Sequence, residues 1–350
     1  MREYQQAILH HITRKHSYRL YSLITMIPHF SIIIPTSRQP ALLFRCLDAL
    51  GRQTLPRHQF ELIVVDDAST PETAAAVDLF SRQISRSGGP LEVRYLAQPA
   101  ERGFAAARNR GWRAARGKVV VFTDDECIPR PDWLLAVLPS FERGAQVVTG
   151  QMHLTDGTAV SRKKNLYWES NELISANCFC RKTALERVGG FEEAFDLAWR
   201  EDQDLQFKFI GAGIPIIKCP EAVVVHPMPD LPWYTPLANE RRSRYDALLY
   251  KRHPDLFRQR IEADRTHVVE YYASVLGVVL GVLGMLTGSM MLSVIGFSTW
   301  TPLSIGLIWQ QIPNRDNTKL PQAVLMALVT PFLAVYWRLY GAIKYRVMYW

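Results

Sequence analysis

Three carboxylates follow an apolar run without a break in VVVFTDDECIPRPDW (119–133): Asp124, Asp125 and Glu126. Adjacent like charges repel, and each loses hydration beside a buried strand end. A divalent cation relieves that repulsion. Mg²⁺ usually takes one or two carboxylates together with ligand phosphates. The cluster therefore suits a nucleotide diphosphate bridged by a metal. A solvated acidic turn ahead of the helix near Pro131 is the alternative, although Asp132 can cap that helix without the other three.

Three further segments bear on that choice. VVDDAST (64–70) ends a second apolar run in Asp66 and Asp67, which suit a ribose hydroxyl or base N–H, or else an Asx-type turn. RGFAAARNRG (102–111) enters a helix through Gly103 and carries Arg108, a cation for phosphate or base, or for the surface. WREDQDL (199–205) opens a helix with Glu201, Asp202 and Asp204. Acids there complement the helix dipole, and one of them can also act as a general base. Trp199 beside them and Trp168 upstream are surfaces for a sugar ring, or core. Arg162, Lys163 and Lys164 suit an acceptor phosphate or a solvated face.

These residues need a frame. FSIIIPT (30–36), ELIVVDD (61–67), LEVRYLA (91–97), KVVVFTD (118–124) and AQVVTGQMHL (145–154) read as strands, with helical periodicity between them. LISANCFCRK (173–182) and IPIIKCPEAVVVHP (214–227) read as further strands, the latter ending near His226, and LANERRSRYDALLYKRH (237–253) as one basic amphipathic helix. Alternating strands and helices predict a mostly parallel sheet with helices on both faces. Ligands bind such sheets beyond the carboxyl ends of the strands, so both acid clusters fall on one rim.

The 350 residues carry a net charge of +8 and five scattered cysteines. The basic balance fits anionic lipid or phosphorylated ligands, and no nucleic-acid reader motif appears. The odd cysteine set excludes a disulfide framework; Cys178 and Cys180 read as ordinary thiols rather than a zinc pair. The N-terminus lacks a signal-peptide cleavage site, which leaves an interfacial helix or a start at Met26. Residues 271–309 run 39 positions without a charge, enough for two membrane helices at about 271–288 and 290–309. Residues 322–337 carry Pro331 and lead into Arg338, Lys344 and Arg346, so the positive-inside rule predicts an interfacial or re-entrant segment at about 322–343. The division expected is a 1–29 extension, a 30–230 catalytic domain, an amphipathic 231–268 and a membrane domain 269–350.

In their order FSIIIPT, VVDDAST, RGFAAARNRG, VVVFTDDECIPRPDW, GGFEEAF and EDQDLQFKFIGAG, the segments resemble glycosyltransferase family 2, a GT-A, Rossmann-like α/β fold. The resemblance implies a nucleotide-sugar donor, Mg²⁺ or Mn²⁺, and inversion at the anomeric carbon. It sets Pro35, Asp66, Asp67, Arg108, Asp124 and Asp125 on the nucleotide-sugar side. It gives Asp124, Glu126 and His226 to the metal, and Asp202 with Glu201 to base catalysis. Glu126 stands where the family commonly has Asp, so Asp125 is the alternative ligand. The acceptor expected is a lipid-linked glycan or polysaccharide at the cytoplasmic face of the inner membrane. The alternatives are a polyprenyl-phosphate glycosyl synthase or a non-catalytic nucleotide-sugar-binding protein. A nucleotidyltransferase would want a glycine-rich loop where PTSRQPALL stands.

Overall fold

The computed structural model describes residues 28–87, 89, 91–155, 173–227, 232–261, 266–311 and 320–349. Trp168, the Arg162–Lys164 run and most of the expected 1–29 extension lie outside them. The chain divides into two compact units, Met1–Met228 and Pro229–Trp350.

The first unit is an eight-stranded sheet. Its strands are β1 (Phe30–Thr36), β2 (Phe60–Asp66), β3 (Glu92–Ala97), β4 (Val119–Phe122), β5 (Ile128–Pro129), β6 (Val147–Thr155), β7 (Cys178–Arg181) and β8 (Ile216–Pro227). The spatial order is β3-β2-β1-β4-β7-β6-β8-β5. From β3 to β4 the pairing is parallel. β7 runs antiparallel to both β4 and β6, and β8 lies parallel to β6. Helices α1 (Pro40–Gly51), α2 (Pro71–Arg86), α3 (Phe104–Ala114), α4 (Trp133–Glu142), α5 (Lys182–Val188) and α6 (Glu201–Gly211) connect the strands.

The apolar runs have a simple physical cause. A sheet covered on both faces buries every residue of its central strands. Ile32, Ile34, Leu62, Val64, Val119 and Val121 face one way, against Leu43, Leu47, Val77, Phe80 and Trp133 from α1, α2 and α4. Ile33, Ile63, Val65, Val120 and Phe122 face the other, against Ala105, Trp112, Leu185, Leu205 and Phe209 from α3, α5 and α6. Each fully buried Leu, Ile or Phe contributes roughly 1.5–3 kcal/mol of transfer free energy. Gly111 lets α3 press on β1, since a Cβ there would stand 2.3 Å from Ile33 Cγ2.

The strand expected over 173–182 is shorter than its apolar sequence predicts. Ser175–Asn177 forms a 3-10 turn and only Cys178–Arg181 joins the sheet. Asn177 explains the break. Its amide donates to the carbonyls of Gln151 and Ala222 and its Oδ1 accepts from Trp133 Nε1, tying β6, β8 and α4 together. All five cysteines are free and buried, and the sulfurs of Cys178 and Cys180 lie 3.4 Å apart.

The second unit is helical. The basic segment expected as one helix over 237–253 is broken into α7 (Thr235–Asn239), a 3-10 turn at Glu240–Ser243 and α8 (Arg244–Arg252), followed by α9 (Pro254–Arg260). Three long apolar helices come next: α10 (Thr266–Thr287), α11 (Met290–Gln311) and α12 (Leu320–Tyr345). All three are long and apolar enough to cross a membrane. α10 and α11 form a hairpin packed through small residues: a Cβ on Gly296 would stand 2.2 Å from Gly281 N, and one on Gly284 2.4 Å from Ser293 N.

Over 322–343, where an interfacial or re-entrant stretch is expected, α12 is one continuous helix through Pro331. Ala323, Met326, Ala327, Thr330, Pro331 and Ala334 form one buried face, so packing by neighbours compensates for the proline. Arg338 on α12 pairs with Asp246 of α8 at 3.3 Å and shares a cavity with Tyr272 near the start of α10. The cationic end of α12 thus lies beside the beginning of the hairpin, not its far turn.

Candidate active site

The ends of β1 and β2 and the turn after β4 lie along one rim, with Thr36 in register with Asp66. Asp66 is consumed by its own turn. Its Oδ1 accepts from Ala68 N, and its Oδ2 from Thr70 N and from the Tyr95 hydroxyl. Asp67 reaches the loop before α3, where its two oxygens accept from Arg102 N and Gly103 N, each at 2.9 Å. That grip holds Gly103 at φ +87°, a left-handed conformation that favours glycine, with Asp196 O 2.4 Å from where a Cβ would be.

Arg108 occupies the middle of the site. Its guanidinium is buried, donates to Asp124 Oδ1 at 2.8 Å and stands 3.4 Å from Glu201 Oε1. Phe191 covers one side, its ring centre 5.5 Å from the guanidinium carbon. Burial opposes the charge, but Asp124, Glu201 and Asp202 outweigh it and raise the arginine's pKa. The loop after β4 and the first turn of α6 are thus bound to one cation.

Asp202 sits in that first turn. Its Oδ2 accepts from Ser175 N at 3.1 Å, while Oδ1 is buried with no hydrogen-bond partner among the described residues. Burial raises its pKa and Arg108 works in the opposite direction. Glu201 is pushed well above the usual carboxylate range by burial and by the charge of Asp202. The entry to this helix is strained: Arg200 has φ 73°, left-handed and outside the preference of a non-glycine residue. Trp199 is next in line, with the Arg200 guanidinium 5.2 Å from its ring centre.

The other acids of the cluster diverge. Asp125 turns inward, where Thr36 Oγ1 donates to its Oδ2 at 2.6 Å, and burial pushes its pKa up to about 7. Glu126 turns toward β8, with Oε1 2.9 Å from His226 Nε2. Burial lowers the His226 pKa, but the hydrogen bond and charge of Glu126 outweigh it and leave the value raised.

Among the described residues no three acidic, His or Cys groups already form a metal cluster. The donor set nevertheless fits a divalent cation. His226 Nδ1 lies 2.8 Å from the Pro227 carbonyl, which can accept its proton and so aim the Nε2 lone pair at the Glu126 carboxylate. Two acceptors facing each other at 2.9 Å need a proton or a cation between them. Asp124 is near enough to His226 to add its charge there. An imidazole with carboxylates suits Mn²⁺ better than Mg²⁺.

The structure therefore joins Arg108, Asp124, Glu201 and Asp202 in one cluster and Glu126 with His226 in a second. It engages Asp66 and Asp67 in backbone turns, and it buries Pro35 within β1. Thr36 and Ser175 complete the site, and both escape a sequence reading. Their partners lie 89 and 27 residues away, and nothing local marks either one.

Residues 31–191 match the sequence model of glycosyl transferase family 2. The chain carries a family 2 glycosyltransferase domain of GT-A fold. Glycosyltransferase AglE of Haloferax volcanii is 29% identical over 181 residues, 48% of this chain and 58% of that protein. The chain spans less than two thirds of the length of the curated relatives it matches. Two solved structures share the fold. The mannosyltransferase PcManGT from Pyrobaculum calidifontis, in complex with GDP-Man and Mn²⁺, superposes with a TM-score of 0.56 at 23% identity, covering 86% of this chain and 87% of that one. S. aureus TarS 1-349 in complex with UDP-GlcNAc gives 0.51 at 18% identity, covering 92% and 93%.

Proposed function

We propose that this family 2 glycosyltransferase moves a sugar from a nucleotide-sugar donor to a hydroxyl of a lipid-linked glycan or polysaccharide acceptor at the cytoplasmic membrane face, with inversion at the anomeric carbon. One observation carries the reading: the buried Asp202 Oδ1 has no partner among the described residues, while its Oδ2 is fixed by Ser175 N. A carboxylate held by one oxygen and open at the other is poised to take a proton.

In the single displacement, the acceptor oxygen bonds to the anomeric carbon as the bond from that carbon to the leaving diphosphate breaks. Asp202 Oδ1 takes the hydroxyl proton on the side opposite the leaving group, the proton economy of an inverting reaction. Arg108 favours the ionised form of Asp202 and ties α6 to Asp124, so base and donor site keep a fixed relation. Glu201 helps hold that arginine. Glu126 and His226, with Asp124 beside them, would hold Mg²⁺ or Mn²⁺, which supplies positive charge to the diphosphate leaving group. The complexes of PcManGT with GDP-Man and of TarS with UDP-GlcNAc support a nucleotide-sugar donor. The three apolar helices support an acceptor presented at a membrane.

The test is nucleotide release by the detergent-solubilised chain, offered UDP-, GDP- and dTDP-sugars with Mn²⁺ and membrane lipid extract. Release from one donor is expected, abolished by EDTA and lowered by about 10²–10⁴-fold in Asp202→Asn. Donor binding without release in any condition would refute the catalytic reading.

A further inference from the structure

A second cationic site lies far along the chain from the catalytic residues. A cavity of ≈ 430 Å³ opens between the start of α10 and the end of α12, lined by Tyr272, Arg338, Leu339, Ile343, Arg346 and Met348 among others. The apolar lining faces outward: Leu339 is 45% exposed, Ile343 77% and Met348 81%. Two arginines stand among these side chains. Arg338 is partly neutralised by Asp246, yet its Nε is buried with no partner among the described residues. The Arg346 side chain has no hydrogen-bond or ion-pair partner among the described residues, and its backbone is left-handed at φ 52°.

That backbone breaks a local rule. The chain leaves α12 through Arg346 N donating to Ile343 O and Val347 N donating to Ala342 O, a C-terminal cap whose left-handed position favours glycine. Keeping arginine in a strained cap calls for a compensating use. The surroundings indicate which. Tyr271, Tyr272, Tyr336, Trp337 and Tyr340 gather around the same helix ends, an aromatic belt of the kind found at headgroup depth. An anionic headgroup beside the arginines, with an apolar chain along Leu339, Ile343 and Met348, satisfies both halves of the cavity.

We propose that this cavity binds an anionic phospholipid of the surrounding bilayer, its phosphate held by Arg346 and Arg338. Charge complementarity and the exposed apolar lining identify the occupant, and the site is independent of the sugar-transfer chemistry.

The test is a thermal-shift titration of the full chain in uncharged detergent with dioctanoyl phosphatidylglycerol, dioctanoyl phosphatidylcholine, inorganic phosphate and farnesyl phosphate. Phosphatidylglycerol is expected to raise the melting temperature saturably, with little response to phosphatidylcholine or to phosphate alone. Arg346→Gln should weaken the apparent affinity by roughly five-fold or more, the worth of one basic residue at an anionic surface. Arg346→Lys should restore part of it. Arg346→Gly relieves the strained cap, so it should keep or raise the lipid-free melting temperature while losing the same affinity. This variant separates lost binding from misfolding. Equal responses to the two phospholipids, an undiminished response in Arg346→Gly, or an equal response to inorganic phosphate would overturn the proposal. Stabilisation by farnesyl phosphate with none by phosphatidylglycerol would overturn the assignment to a bilayer lipid.

Discussion

The Asp66–Asp67 pair and the Asp124–Asp125–Glu126 run look alike in sequence, since each is a block of acids at the end of a buried strand on the same rim. Their partners differ in kind. Four of the five hydrogen bonds to Asp66 and Asp67 come from backbone N–H groups, which can neither ionise nor move away. The second run is matched to side chains: Arg108, Thr36 and His226. Side-chain partners can turn or exchange for a ligand. Two acid blocks that look alike in the sequence are thus told apart by what holds them, not by where they stand.

The sharpest way to break this contrast is a pair of isosteric variants. Asp124→Asn should lower turnover by about 100-fold, because it uncouples Arg108 from the β4 loop and weakens charge placement at the site. Asp67→Asn should spare turnover per folded molecule and instead cost about 2–3 kcal/mol, by setting an amide N–H₂ against a backbone N–H. Turnover and thermal melting measured on both variants decide it. A catalytic loss in Asp67→Asn without a stability loss would undo the comparison.

Asp125 offers a smaller effect with a defined pH dependence. Its raised pKa means that the protonated carboxyl stabilises the fold. That contribution is complete below the ordinary value of 3.8 and is lost as pH rises through about 7. In EDTA, Asp125→Asn should therefore be more stable than the parent at pH 8, by on the order of 2 kcal/mol, and equal to it near pH 4. Melting curves across that range check the sign. Smaller again is the displacement expected for Arg108→Met. The arginine lowers the pKa of Asp202, so its removal should move the acidic limb of the turnover profile to higher pH, by roughly one unit.

Most of the frame was legible in the sequence because doubly covered parallel strands must be apolar throughout, and β1, β2 and β4 announce themselves that way. The exceptions share one cause. Residues 173–177 are as apolar as a strand, but Asn177 is worth more bridging β6, β8 and α4 than pairing in a ladder. α7 and α8 keep a helical period across a break that only tertiary packing sets. At the site, the acids were legible as types, whereas their division among Arg108, Thr36 and His226 depends on residues brought together from 16 to 100 positions away. Periodicity carries no information at that range.

The glycines of the α10–α11 hairpin have a consequence for how the protein is made. In hydrocarbon no solvent drives helices together, so association depends on close contact of their surfaces. Gly281, Gly284 and Gly296 supply that contact between two segments joined by a two-residue turn, before α12 has been synthesised. The hairpin can assemble during translation as a unit, and α12 then docks onto a finished surface. Alanine at Gly296 would pry that unit apart at this stage, before α12 can dock, because its Cβ would stand 2.2 Å from Gly281 N.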